Sequence, residues 1–259
     1  MSYSETLLPV IRRVRDIVLP HFGNVTKLDH KDESSGSAVT DFDIAVEAFL
    51  KKEFSKLYPE IAFVGEENGG DRSAERFFLV DPIDGTSNFV RGLPFCTTMV
   101  ALIEKGEVVF SAIYNFVTDT MYSAEKGKGA YKDGKPIHVS NRPLRHSFFV
   151  WETHLSVKNN AEILAKLEKK SCSFKVTAAG YEFAMIAEGR IDGRVAFDPY
   201  GQDYDFAPGT LLVKEAGGVV ANIGKTTYDY RNLEFIAANP VVFKDLTEGP
   251  EALFPIQNT

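Results

Sequence analysis

Leu7, Leu8, Ile11, Val14, Ile17 and Val18 recur at helical spacing, so residues from about 5 to 22 predict an amphipathic helix that Gly23 stops. A second helix is predicted from near Asp41, with Ile44, Phe49, Leu50, Phe54 and Leu57 as its apolar stripe and Pro59 beyond its end. The polar stretch Lys27–Ser37 between them reads as a loop or hairpin. Ile61 to Val64 is a short β-rich run leading into the turn residues of Gly65–Gly70. Phe77-Phe78-Leu79-Val80 is apolar on both faces, which predicts a central strand that delivers Asp81 at its end. Extended segments at 97–103, 108–114, 121–124 and 137–139, separated by glycine-bearing turns, predict an antiparallel sheet.

After Pro143 the pattern changes to a strand at 147–151, a helix at 158–170, a strand at 173–177, a helix at 181–188, a strand at 192–197 and a helix at 204–216, the rhythm of an α/β half. The chain therefore divides, on this reading, into an N-terminal α+β half over 1–142 and a C-terminal α/β half over 143–259. Its 259 residues, at about 150 per domain, suit one large domain or two closely packed halves. With 44% hydrophobic and 25% charged residues it can bury a sizeable core. The net charge of −7 gives no general attraction for nucleic acid or an anionic membrane, so a phosphate-bearing partner needs a local cation. No apolar run approaches the roughly 18 residues of a membrane span, and the start lacks a basic and then apolar leader, so the expected location is the cytoplasm. Cys96 and Cys172 are too few for a disulfide framework and are read as buried thiols.

Missing motifs narrow the chemistry. There is no phosphate-binding P-loop, no H-E-x-x-H, no G-x-S-x-G, and the five histidines show no metal-ligand spacing. The informative stretch is Asp81-Pro82-Ile83-Asp84-Gly85-Thr86-Ser87-Asn88-Phe89. Two carboxylates three residues apart, where Pro82 restricts the backbone and Gly85 permits a tight turn, can face one point and offer the hard oxygens that suit Mg²⁺. Gly85-Thr86-Ser87 then reads as a helix start whose free N–H groups suit a phosphate. The same spacing also serves an Asx-turn followed by a helix N-cap with no metal at all. Further acidic positions favour the metal: Glu66-Glu67 after a strand, Asp43 with Glu47 on the second helix, and Asp203 and Asp205 opening a late helix.

These residues carry a family resemblance. Val39-Thr40-Asp41-Phe42-Asp43 with Glu47, Gly65-Glu66-Glu67, Asp81 to Phe89, Gly127-Lys128-Gly129-Ala130, Tyr204-Asp205-Phe206-Ala207 and Glu215-Ala216-Gly217-Gly218 resemble, in order, the motifs of the inositol monophosphatase family of Mg²⁺-dependent, lithium-sensitive phosphatases. The resemblance implies a layered αβαβα sandwich of the inositol monophosphatase and fructose-1,6-bisphosphatase type, a homodimer, and two or three Mg²⁺ ions per site. It assigns Glu66, Asp81 and the Ile83 carbonyl to one ion, and Asp81, Asp84 and Asp205 to a second. A third would sit near Glu66. Asp43 and Thr86, with Glu66, would activate the attacking water. Gly85 and Thr86 amides would hold phosphate oxygens, while Ala179 and Asp198 line the substrate alcohol beside Asp84 and Asp205. The implied reaction is direct attack of metal-activated water on a small polyol phosphate monoester, with inositol 1-phosphate foremost. Histidinol phosphate, fructose 1,6-bisphosphate, 3′-phosphoadenosine 5′-phosphate and NADP are the alternatives within the family. A non-catalytic metal-binding regulator with the same fold is the alternative of another class. Ser37 and Asp32 depart from the family pattern in the loop near the third ion, with Lys27 and Lys31 nearby.

Overall fold

The computed structural model describes residues 2–25, 29–30 and 38–257. Ser2 and Glu5 form a reciprocal cap on α1 (Tyr3–Arg12). The predicted single helix over 5–22 is interrupted: after a tight turn at Arg13, whose amide bonds Val10 O, the chain resumes as α2 (Val14–Val18) and a 3₁₀ turn at Leu19–His21. Pro9 and Pro20 each withhold a helical amide from this run. Two short strands follow, β1 (Asp29–His30) and β2 (Ala38–Val39), paired antiparallel. The rest of the predicted loop, with Lys27, Lys31, Asp32 and Ser37, lies outside the described residues.

Thr40 caps α3 (Asp41–Leu57) by exchanging hydrogen bonds with Asp43. The buried face of α3 is Asp43, Val46, Glu47, Leu50 and Phe54, whereas Ile44 and Leu57, expected in its apolar stripe, are exposed. Of two inward carboxylates, Asp43 extends the buried stripe of Val46, Leu50 and Phe54 toward the N-terminus of the helix and Glu47 lies within it, both at places that a purely apolar pattern gives to other residues.

The larger sheet runs in chain order: β3 (Ala62–Gly65), β4 (Arg76–Asp84), β5 (Thr97–Glu104), β6 (Glu107–Asn115), β7 (Thr120–Glu125), β8 (Ala130–Lys132) and β9 (Lys135–Pro136). Only β3 and β4 pair in parallel; the other neighbours are antiparallel. The short helix α4 (Thr86–Arg91) joins β4 to β5. No strand forms at 137–139, where Ile137 and Val139 make single bonds to Ala130 O and Ala216 O.

The chain continues with β10 (Ser147–Glu152), α5 (Lys158–Glu168), β11 (Ser171–Ser173), α6 (Ala179–Ala187), β12 (Gly193–Ala196), α7 (Asp203–Glu215), β13 (Val219–Asn222), β14 (Phe235–Ala238) and α8 (Pro240–Thr247), whose strands form a second sheet. That sheet has the order β11-β10-β12-β14-β13, parallel over the first two pairings and antiparallel over the last two. Cys172 is exposed on edge strand β11, contrary to the expectation of two buried thiols, while Cys96 is buried.

Alternate side chains of β4 explain the layering. Phe78 and Val80 pack with Leu7, Ile11, Leu50 and Phe54 of the N-terminal helices, while Phe77 and Leu79 face the opposite cluster containing Ala207 of α7. On that second face, Met99 and Ile113 share a core with Phe183 of α6 and Leu212 of α7, and the same core takes in Val150, Ala196 and Phe235 of the smaller sheet. Leu164 of α5 and Val242 of α8 cover the far side of that sheet with Phe149, Val195 and Ile236. The result is an αβαβα stack, as expected, with α6 and α7 as the shared middle layer. Among the described residues no helix is long and apolar enough to cross a membrane.

Candidate active site

The site forms where β4 ends. Along β4 and β5 the register runs from Asp81 opposite Met99 to Asp84 opposite Thr97, three residues against two. Residues three apart on a regular strand point to opposite faces. The extra residue in β4 cancels that alternation and lets Asp81 and Asp84 face one point. Pro82 is tolerated there because a bulge does not need its missing amide. Gly85 follows in left-handed backbone (φ 79°), and a Cβ on it would lie 2.8 Å from Phe95 O and 3.0 Å from the Ala178 Cβ. Only glycine makes this turn without strain.

Other elements converge on the same point. Asp205, in the first turn of α7, accepts a 2.6 Å hydrogen bond from the Gln202 amide. One carboxylate oxygen from each of Asp81, Asp84 and Asp205 lies within 4.8 Å of the others, the one such acidic or ligating group of three among the described residues. Glu66 lines the same cavity, its amide bonded to Val80 O at 3.0 Å. The buried Glu47 carboxylate fixes the turn after it by accepting from the Glu67 amide at 2.7 Å and the Asn68 amide at 3.0 Å. Asp84 is held by the Ala179 and Gly180 amides and the Thr97 hydroxyl, each at 2.8 Å.

Asp43 Oδ2 accepts from the Thr40 amide and hydroxyl at 2.8 and 2.6 Å, leaving Oδ1 3.1 Å from the Thr86 hydroxyl. That hydroxyl is also 2.8 Å from Ile83 O. Asn88 anchors α4 to neighbouring loops through Phe95 O and Val176 O.

Burial raises the carboxyls of Asp43, Asp81, Asp84 and Asp205. Asp81 is pushed well above the ordinary range by burial and by the charges of Glu66, Asp84 and Asp205. Asp205 is raised by burial, against its bond from Gln202. Burial lifts Asp84 to about 6 in spite of its three donors, and raises Asp43 against those from Thr40 and Thr86. Asp81 Oδ1 is buried with no hydrogen-bond partner. Such an oxygen, among three other acidic groups and with oxygen-only donors around it, fits a hard divalent cation.

The cavity around this cluster has a volume of about 450 Å³ and is bounded by Glu66, Asp81, Asp84, Thr86, Ala179 and Asp205, among others. Comparison with known proteins decides the assignment, because the inositol monophosphatase family pattern matches residues 3–250. The chain belongs to the inositol monophosphatase family. Relatives of this family member include a fructose-1,6-bisphosphatase/inositol-1-monophosphatase of Aquifex aeolicus, 30% identical over 81% of each chain. A Nus factor SuhB of Salmonella typhimurium is 28% identical over 90% of each. An IMPase of Thermotoga maritima has the same fold, with a TM-score of 0.85 and 27% identity over 95% of each chain. Like its family, this inositol monophosphatase family member is a phosphoric monoester hydrolase.

One expected position lies elsewhere. Asp198, which the family resemblance places beside the substrate alcohol, follows the end of β12 in left-handed backbone (φ 52°). Its carboxylate accepts from Asn160 Nδ2 at 2.8 Å and lies 3.5 Å from His154 Nδ1, in a separate hollow shared with Phe197 and Glu234. It is not among the residues that bound the cavity around Asp81, Asp84 and Asp205. The fold of this chain instead brings Trp151, Lys175, Tyr200 and the ion-paired Glu152, Arg194 and Glu182 to the cavity wall. They come from separate strands, loops and a helix, and no local spacing marks them as neighbours.

Proposed function

We propose that this chain is a Mg²⁺-dependent phosphomonoesterase that hydrolyses a small polyol phosphate, foremost inositol 1-phosphate. The observation that carries the reading is the buried, partnerless Asp81 Oδ1 beside Asp84 and Asp205. Glu66, Asp81 and Ile83 O would hold one ion, Asp81, Asp84 and Asp205 a second, and a third would lie near Glu66. Bound Mg²⁺ supplies positive charge for the attacking and leaving oxygens and acidifies water.

The chain's own groups supply orientation and proton transfer. The Thr86 hydroxyl has one proton for two acceptors, Ile83 O and Asp43 Oδ1. When that proton goes to Asp43, the hydroxyl oxygen can accept from a water and pass its proton along the pair. Burial of Asp43 strengthens it as the final acceptor. Gly85 and Thr86, at the start of α4 and on the cavity wall, offer backbone donors for phosphate oxygens. Ala179 bounds the alcohol side. Cytoplasmic action as a homodimer is part of the same proposal.

A second reading, fructose 1,6-bisphosphate, has specific support. Lys175 is exposed at the cavity wall with its Nζ 4.8 Å from the Trp151 ring centroid, and it can meet a second anion. Phosphate release with Mg²⁺ is measured across inositol 1-phosphate, fructose 1,6-bisphosphate, histidinol phosphate, 3′-phosphoadenosine 5′-phosphate and NADP. A preference for inositol 1-phosphate supports the first reading, and loss of fructose bisphosphate turnover in Lys175→Gln supports the second. Silence on all five favours a non-catalytic regulator.

A further inference from the structure

Two of the clustered carboxylates depend on the C-terminal half for their placement, through arms that meet at one buried side chain. Arg194 on β12 is 2% exposed, with its guanidinium 5.4 Å from the Phe183 ring centroid and 5.2 Å from that of Phe206. Its Nη1 donates to Glu182 Oε2 and its Nη2 to Glu152 Oε2, while Nε is buried without an acceptor.

Each carboxylate uses its other oxygen to hold backbone next to the site. Glu182 Oε1 accepts from the Val176 amide at 3.0 Å, and Glu182 itself sits in the first turn of α6, beside the Ala179 and Gly180 amides that grip Asp84. Glu152 Oε1 accepts from the Tyr200 amide at 2.9 Å and the Gly201 amide at 2.7 Å. The next residue, Gln202, gives its amide to Asp205. That turn passes close to the core: a Cβ on Gly201 would lie 2.5 Å from Phe206 Cζ.

We propose that Arg194 is a positioning residue that sets the separation of Asp84 and Asp205, and thereby the affinity of the divalent-cation site, by clamping Glu182 to Glu152. The inference rests on reading Asp84 and Asp205 as cation-holding groups. A buried ion triad is a poor source of net stability because desolvation offsets attraction. Its geometry is what distinguishes it, since a planar guanidinium holds two carboxylates at a fixed angle in a way that an ammonium cannot. Supports behind a metal's immediate ligands typically change its affinity by roughly 10–100-fold.

The test uses the full chain. Mg²⁺ is titrated calorimetrically into wild type, Arg194→Lys and Glu152→Gln, alongside thermal unfolding of each and the KM for inositol 1-phosphate. Glu152→Gln keeps an oxygen for the Tyr200 and Gly201 amides but turns an NH₂ toward Arg194, so it cuts the clamp without removing the loop's acceptor and serves if Arg194→Lys does not fold. The expected result is Mg²⁺ binding weakened by about 10-fold or more in a folded variant, with kcat at limiting Mg²⁺ falling more than the substrate KM rises. Unchanged Mg²⁺ affinity in a folded but less heat-stable variant overturns the proposal and leaves the triad a structural brace. Absence of Mg²⁺ binding by wild type overturns the underlying cation-site reading as well, and is distinguished by that control.

Discussion

Asp84→Asn separates the charge of the cluster from its hydrogen bonds. The carboxylate accepts from Ala179 N through one oxygen, and from Gly180 N and Thr97 Oγ1 through the other. Asparagine keeps the pair of donors if its carbonyl replaces the second oxygen, and its NH₂ then faces the Ala179 amide. An unsatisfied buried N–H costs about 1–3 kcal/mol. Against this, a carboxyl raised from 3.8 to about 6 costs the metal-free fold about 3 kcal/mol at neutral pH, which the amide removes. The two nearly cancel, so the metal-free variant should melt within about 5 °C of wild type, taking about 2–4 °C per kcal/mol. The metal-dependent terms do not cancel. At a hundredfold excess over its Kd, Mg²⁺ adds about 2.7 kcal/mol to wild type, and this shift should disappear in the variant. Loss of several kcal/mol of charge stabilisation lowers turnover by about a thousandfold. Scanning fluorimetry with and without Mg²⁺, paired with phosphate release, measures all three quantities. A full Mg²⁺ shift and undiminished turnover in Asp84→Asn would refute the assignment of this carboxylate.

Further expectations concern pH, backbone and specificity. Because the carboxyls of Asp81, Asp84 and Asp205 are raised in the fold, the metal-free fold binds more protons than the unfolded chain. Their contribution is therefore fully present below the unfolded pKa near 4 and is lost as pH rises through about 6 for Asp84. Metal-free melting temperature should fall over that window while the Mg²⁺-induced shift grows, and calorimetry that finds a pH-independent shift contradicts it. Gly85→Ala places a Cβ 2.8 Å from Phe95 O at φ 79°; we expect a loss of about 1–3 kcal/mol by chemical denaturation, together with weakened phosphate release. Asp198→Asn should leave KM for inositol 1-phosphate within about twofold, since truncations that lose a substrate hydrogen bond to a charged group cost more; a tenfold rise would return Asp198 to the substrate site.

Much of this was legible along the chain because its causes are local. The strand at Phe77–Val80, the start of α3 near Asp41, and the turn at Gly85 each follow from spacing within a few residues. The bulge that aligns Asp81 with Asp84 was not, because it is a relation between β4 and its neighbour rather than a property of β4. The inward face of α3 departs from the apolar pattern where Asp43 and Glu47 take core positions, since their burial is compensated by Thr40, Thr86 and the turn at Glu67–Asn68. Asp198 shows the limit of a motif resemblance: it is matched to the substrate groups, but in left-handed backbone after β12 its carboxylate lies in another hollow. The Glu152–Arg194–Glu182 triad draws on two strands and a helix, so only the folded chain reveals it.

Asp81, Asp84 and Asp205 are proposed to hold a divalent cation jointly. Crystals soaked in Mn²⁺, measured for anomalous scattering, test it without reference to any substrate. The expected result is a strong anomalous peak coordinated by oxygens of all three carboxylates, with the Asp81 oxygen that otherwise lacks a partner among them. A map with no peak at this cluster under saturating Mn²⁺, or with peaks only at surface carboxylates, would contradict it.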